Sequence, residues 1–229
     1  MVSVRGADTS VGSADALDAV LFDLGNVLVR WDPYLAYEGR YPRGEVERFL
    51  EGEFGALNHA QDAGEPWASV RSRLAARRPD LVPMLDVYLE DHRRSVPGEV
   101  PGASALVRDV RAAGLRVYGL TNWGAENWHV AGEQAPAVRL LDGVVVSGLE
   151  KVAKPDPEAF RRAVARFALV PRRTLFTDDT ERNVRAATEL GFRTHLFRGP
   201  DGLRACLRGL GVPVPDGSPA GSVDPAAPA

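Results

Sequence analysis

A single cysteine, Cys206, stands in a chain of 229 residues. That scarcity excludes a disulfide framework and any thiolate metal site. The cysteine itself reads as a buried helix residue. Long apolar runs are missing too, and none approaches the ~20 residues that a membrane-spanning helix needs. The N-terminus lacks the charged-then-apolar layout of a secretory signal. Charge of one sign is not in excess: 28 Lys and Arg face 31 Asp and Glu, for a net charge of -3. Such a balance gives no electrostatic case for nucleic acid or an anionic membrane as partner. Together these absences make a cytoplasmic protein the expectation. They leave the oligomeric state open. No internal repeat stands out.

Apolar residues are abundant, at 45% of the chain, so a sizeable core can form. The length suits one α/β domain with an insertion, or two small domains. Both ends are poor in apolar anchors. Residues 1–17 are mostly Ser, Gly, Ala and Asp, and residues 213–229 mostly Pro, Ala, Gly and Ser. Neither stretch buries enough surface to offset the entropy of ordering it, so both are expected to be disordered tails.

Short continuous apolar runs, typical of strands buried on both faces, occur at residues 19–22, 115–120, 143–146, 174–176 and 194–197. Helical spacing lies between them, over 103–113, 156–167, 180–190 and 203–210, with Gly191 and Gly211 as C-terminal stops. From residue 103 onward helix and strand alternate, which predicts a parallel sheet covered on both faces. The first strand is separated from the rest by a helical stretch, 33–100, with helix candidates at 46–54, 66–77 and 83–94. This stretch reads as an inserted cap. The core is then expected over 18–32 and 101–212, with joins near Trp31-Asp32-Pro33 and Pro97 to Pro101.

Polar groups gather where the apolar runs end. Asp23 follows the first strand in Phe22-Asp23-Leu24-Gly25-Asn26-Val27. Thr121 and Asn122 follow the second. Lys154 sits in Ala153-Lys154-Pro155-Asp156-Pro157, and Asp178 and Asp179 follow the run at 174–176, with Asn183 one helical turn on. Strand ends are where an α/β fold assembles a site. A carboxylate at a strand tip can serve as a nucleophile. A hydroxyl at Thr121 suits a phosphate oxygen or a helix N-cap, and the residues alone allow both. Two adjacent carboxylates are costly unless a cation or hydrogen bonds compensate them. Lys151 reads as a solvated surface lysine, and His92, His129 and His195 lack metal-site spacing.

In this order the motifs resemble the haloacid dehalogenase-like hydrolase superfamily, over nearly the whole chain between the tails. The segment between the first and second motifs resembles that superfamily's C1 cap. The Phe-Asp-Leu-Gly-Asn-Val wording is similar to bacterial sugar-phosphate phosphatases of the glucose 1-phosphate type. It is also similar to the phosphatase domain of soluble epoxide hydrolases. The resemblance implies a Rossmann-like core and a magnesium-dependent phosphatase acting on a small phosphorylated metabolite. It implies Asp23 as the nucleophile that forms an aspartyl-phosphate, Lys154 as the neutralising cation, and Thr121 with Asn122 as phosphate ligands. Mg2+ would be held by Asp23, the Gly25 carbonyl and Asp179. Asp178 would bind it through water or orient Lys154, and Asn183 would support them.

Gly25 departs from the family pattern, which usually places a second aspartate two residues after the nucleophile as acid and base. A good leaving group such as an anomeric phosphate would relieve the loss. So would a proton donor from the cap, for which His59 is the first candidate; Trp31, Gln61, Asp62 and Trp67 lie in or beside the same segment. The gap at Gly25 also admits a dehalogenase, with an ester on Asp23, or a non-catalytic phosphate-binding relative. The paired acids Asp178 and Asp179 favour the phosphatase.

Overall fold

The computed structural model describes residues 16–217. Its strands are β1 (Ala19–Phe22), β2 (Val29–Arg30), β3 (Gly98–Glu99), β4 (Arg116–Thr121), β5 (Gly143–Val146), β6 (Thr174–Asp178) and β7 (Arg193–Leu196). Its α-helices are α1 (Arg43–Phe49), α2 (Gly55–Asp62), α3 (Trp67–Arg77), α4 (Val82–Glu90), α5 (Ala103–Ala112), α6 (Trp128–Gln134), α7 (Ser147–Glu150), α8 (Pro157–Phe167), α9 (Glu181–Glu189) and α10 (Pro200–Gly209).

Five strands form one parallel sheet in the order β5-β4-β1-β6-β7. All four residues of β1 are buried, as are all five of β6. These are the positions an apolar strand takes when helices cover both faces. Side chains alternate across the sheet. Val20 and Phe22 join one cluster with Leu106, Val107, Val130, Leu203 and Leu207, from α5, α6 and α10. Ala19 and Leu21 join the other with Phe160, Ala163 and Ala187, from α8 and α9. The result is the expected doubly wound α/β fold. β1 lies at the centre, with β4 on one side and β6 on the other. The chain therefore switches direction across the sheet between β1 and β6, the place where such folds open a crevice.

The helices α1 to α4 lie between β2 and β3, which pair antiparallel as a two-stranded ribbon. They have their own cluster, centred on Tyr37, Phe49, Phe54, Trp67, Leu85 and Tyr88. The rings of Phe54 and Tyr88 meet edge to face at 4.6 Å, a favoured aromatic geometry. Trp31 packs against both this cluster and the one beneath the sheet. Within the insertion the expected helix at 46–54 is instead α1 followed by a π-helical turn, Leu50–Phe54, that runs on into α2.

Two further expectations are corrected. Cys206 lies on α10 as expected, but is half-buried rather than buried. The stretch from Pro213 is not a tail at its start: Val214 is 4% exposed within the core cluster, and Arg208 pairs with Asp216 at 2.9 Å. An apolar side chain two residues past Val212 suffices to hold it. The remainder of that expected tail, and nearly all of the N-terminal one, lie outside the described residues.

Candidate active site

The sheet ends where the polar motifs begin. The β1–β6 ladder continues one residue beyond β1, since Asp23 N donates to Thr177 O at 2.8 Å. Thr121 is the last residue of β4 and Asp178 the last of β6. Lys154 arrives from the loop between α7 and α8. Asn122 holds that loop with both ends of its amide: Nδ2 donates to Lys154 O at 2.9 Å, and Lys154 N donates to Oδ1 at 2.8 Å. The Asn122 side chain, expected on phosphate, is thus committed to placing Lys154.

Lys154 is 1% exposed. Its Nζ donates to Asp23 Oδ1 at 2.8 Å and to Asp178 Oδ2 at 2.6 Å. Asp178 is saturated beyond this, with Thr180 N and Asn183 Nδ2 donating to Oδ1 and Asn183 Nδ2 also to Oδ2. Asp179 is half-buried and accepts one side-chain hydrogen bond, from Thr180 Oγ1 at 3.1 Å. Oxygens from Asp23, Asp178 and Asp179 lie within 4.8 Å of one another. Hard-cation sites are built from such carboxylate oxygens, so the donor set fits a magnesium ion. The charge count agrees, since three carboxylates surround a single ammonium.

Electrostatics follow from this crowding. Burial is the largest influence on Asp23 and pushes its carboxyl up to about 7, with Lys154 opposing and Asp178 and Asp179 reinforcing. Burial likewise raises Asp179. For Lys154, burial would lower the ammonium, but the charges of Asp23 and Asp178 outweigh it and hold it above its ordinary value. A charged lysine between two carboxylates follows from the short contacts, and a cation beside Asp23 would complete its ionisation.

Above these groups lies a cleft of about 310 Å³. Asp23, Gly25, Asn122, Lys154, Asp179 and Asn183 face it from the sheet side. Asn58, His59, Gln61 and Asp62 face it from α2, with Tyr88 and His92 beside them. His59 lies exposed at the cleft wall. Thr121 does not line the cleft directly; its Oγ1 is buried with no hydrogen-bond partner, as is Asn183 Oδ1. Lys151 is exposed, as expected for a surface lysine. Among the histidines set aside, His129 is exposed and His195 bonds Thr177 at 3.1 Å. His92, however, is a cleft residue, edge-on to Tyr88 and Trp123.

The helical insertion is seated on the sheet side. Glu126 accepts from Trp67 N at 3.0 Å, placing an acid at the start of α3, where the helix dipole favours it. Gln61 packs so closely on Gly124 that a Cβ there would fall 1.2 Å from its amide nitrogen. Gly148 likewise leaves no room, because a Cβ would come within 2.4 Å of Ala125 N. Glycine at both positions lets the loop after β4 nest between α7 and α2.

This arrangement, an aspartate at the tip of the central strand, a clamped lysine and an acid pair across the switch point, is that of a hydrolase family. Residues 17–191 match the haloacid dehalogenase-like hydrolase family, and the chain belongs to it. Sesquiterpene phosphatase astK of Aspergillus oryzae is 27% identical over 199 residues, covering 82% of this chain and 93% of its own length. Acyl-CoA dehydrogenase family member 10 of mouse is 27% identical over 196 residues, covering 77% of this chain; the match spans only 17% of that longer protein. Among solved structures, the enzyme bt-2542 from Bacteroides thetaiotaomicron, in complex with magnesium and inorganic phosphate, superposes with a TM-score of 0.61. It is 23% identical, with 79% of this chain and 93% of that one covered. At that identity the likeness shows the fold.

Proposed function

We propose that this chain is a magnesium-dependent phosphatase that hydrolyses a small phosphorylated metabolite through an aspartyl-phosphate on Asp23. The observation that carries the reading is the convergence of Asp23, Asp178 and Asp179 beside one buried lysine at the floor of an open cleft. Two relatives support it: astK is named a phosphatase, and bt-2542 was solved with magnesium and phosphate bound.

Each residue then has a role that its surroundings suit. Asp23 attacks phosphorus, and the bond to the leaving oxygen breaks. Lys154, fixed by Asn122 and Asp178, faces the carboxylate and the transferring phosphoryl oxygens. Thr121 offers its unpartnered hydroxyl to a phosphate oxygen. Asp23, Asp179 and the Gly25 carbonyl would hold the cation, while Asp178 anchors Lys154 and Asn183 anchors Asp178. Bound magnesium would supply the positive charge that the phosphoryl group and the three acids require. The helical insertion acts as a cap, excluding water from the cleft. Trp31, Tyr88 and Trp123 line it as aromatic walls, and its volume suits a small metabolite. No helix among the described residues is long and apolar enough to cross a membrane. A dehalogenase would need no cation and would leave Asp179 without a task.

Beryllium fluoride with magnesium mimics a phosphoryl group on an aspartate. At about 100 times its Kd it is expected to stabilise the protein by about 2.7 kcal/mol. For a chain of this length that raises the melting temperature by roughly 5–10 °C. No shift with magnesium and fluoride together would count against the metal site and the phosphatase with it.

A further inference from the structure

One carboxyl in the cleft is used by neither the cation site nor Lys154. Asp62 ends α2, is 8% exposed, and faces the cleft with Asp23, Gly25 and Asp179. Asn58, one turn earlier, donates to its Oδ2 at 3.0 Å. Among the described residues no other hydrogen bond reaches the Asp62 carboxylate, and none joins it to Asp23, Asp178 or Asp179. A buried carboxylate with one donor and no ion-pair partner in contact is costly in its charged form. Opposite it on the sheet side is open space: a Cβ built on Gly25 would meet nothing within 4 Å. Gly25 is not in the left-handed region either, so neither crowding nor backbone strain requires glycine there.

We propose that Asp62 reaches across this space from the helical insertion and is the proton donor and acceptor of the reaction, replacing the acid absent at Gly25. The inference rests on the phosphatase reading. As Asp23 attacks phosphorus, the bond to the ester oxygen breaks with its electron pair on oxygen, and Asp62 delivers its proton there, releasing the alcohol. Asp62, now a carboxylate, takes a proton from the water that attacks the aspartyl-phosphate. Inorganic phosphate departs, Asp23 is freed as a carboxylate, and Asp62 is again protonated. Protons and charges balance over the cycle.

Two buried neighbours of Asp62, His92 and Tyr88, are unsuited to this task. Among the other titratable groups lining the cleft are Asp23, Lys154 and Asp179 from the sheet side, Tyr88 from α4, His92 from the turn after α4, and His59 from its own helix. Burial, then the charge of Asp23, push Asp62 up to about 7, with Lys154 opposing. A group poised near neutrality serves best as both acid and base. Burial pushes His92 down to about 4, so its imidazole is neutral at pH 7 and has no acidic proton to give. Burial holds the Tyr88 phenol protonated, well above its ordinary range.

The test uses the full chain with magnesium and two esters, an alkyl phosphate such as glycerol 2-phosphate and p-nitrophenyl phosphate. Asp62→Asn is expected to lower kcat on the alkyl ester by about 10²–10⁴-fold. Nitrophenolate needs no proton to leave, so its first-turnover release should be little changed. It should then stall as a burst, because the phosphorylated enzyme lacks its base. Adding Gly25→Asp to Asp62→Asn should restore alkyl turnover, which a merely structural role for Asp62 would not allow. Equal losses on both esters without a burst, or a change in KM alone, would overturn the inference. If Asp62→Asn does not fold, the wild-type pH profile decides. The alkyl kcat/KM should decline above about pH 7 while the nitrophenyl kcat/KM does not, and parallel profiles would overturn the inference. A wild-type enzyme that releases phosphate from neither ester would sink the phosphatase reading itself, a result distinct from an active enzyme indifferent to Asp62→Asn.

Discussion

Asp23→Asn is expected to lower kcat by on the order of 10⁴–10⁶, the range seen when a covalent nucleophile is removed. The carboxamide is nearly the same size and keeps an oxygen for Lys154 Nζ, 2.8 Å away in the wild type, so the fold should survive. Stability should respond in opposite directions with and without metal. The folded Asp23 carboxyl is raised to about 7 from 3.8. Its contribution to stability is therefore fully present below pH 3.8 and is lost as pH rises through 7. Without metal, the variant should gain on the wild type as pH climbs from 4 to 8, because it has no carboxyl to ionise. With magnesium, the wild type should recover and the variant should not. Phosphate release and melting curves at pH 5 and 8, each with and without magnesium, check both halves. A variant retaining a tenth of wild-type turnover would exclude Asp23 as nucleophile.

Lys154→Met should be the most destabilising change in the site. It preserves length and apolar bulk but removes the ammonium shared by Asp23 and Asp178. Removing one partner from a buried ion pair costs about 3–5 kcal/mol, since the remaining charge is left unpaired. That corresponds to a fall of roughly 6–20 °C in melting temperature for this length of chain. The loss should be smaller at pH 5 than at pH 8. Below its raised value Asp23 takes up a proton, and a neutral carboxyl no longer needs the lysine. Denaturant titration at the two pH values measures this. A loss under about 1 kcal/mol at pH 8 would show that the ammonium is not what balances the buried acids.

Much of this was legible because the site sits at strand ends. The runs that became β1, β4 and β6 are largely apolar and buried, which marks central strands without any alignment, whereas the edge strand β7, Arg193-Thr194-His195-Leu196, is half-buried throughout. Their boundaries moved by one or two residues for local reasons. β6 continues through Thr177 and Asp178, polar residues that are fully buried. They can be so because Lys154, Thr180 and Asn183 satisfy the Asp178 carboxylate. Lys154 was separable from Lys151 by its prolines, and the structure buries the one and exposes the other.

The side of the cleft built by the insertion was much less legible. α2 has a glycine at its start and Asn58 in its middle, residues of modest helix propensity. It forms because the π-helical turn hands the chain on from α1 without a break. Asp62 stands in the sequence only as one of several polar cap residues beside His59, and His92 as an incidental histidine; the packing of the insertion on the loop after β4 brings both to the cleft above Asp23. Asn122 shows the same limit from the other side. A polar residue after a strand suggested phosphate, yet its amide bonds the Lys154 backbone, a pairing 32 residues apart that no local pattern signals.

The most direct measurement is chemical capture of the covalent state. An aspartyl-phosphate is reduced by borohydride to homoserine, while a free carboxylate is not. Enzyme quenched during turnover with magnesium, reduced and analysed by peptide mass spectrometry should carry homoserine at position 23, and enzyme quenched in chelator should carry none. Phosphate release with Asp23 unreduced, or with reduction at another aspartate, would contradict the assignment of Asp23 as the group that takes the phosphoryl.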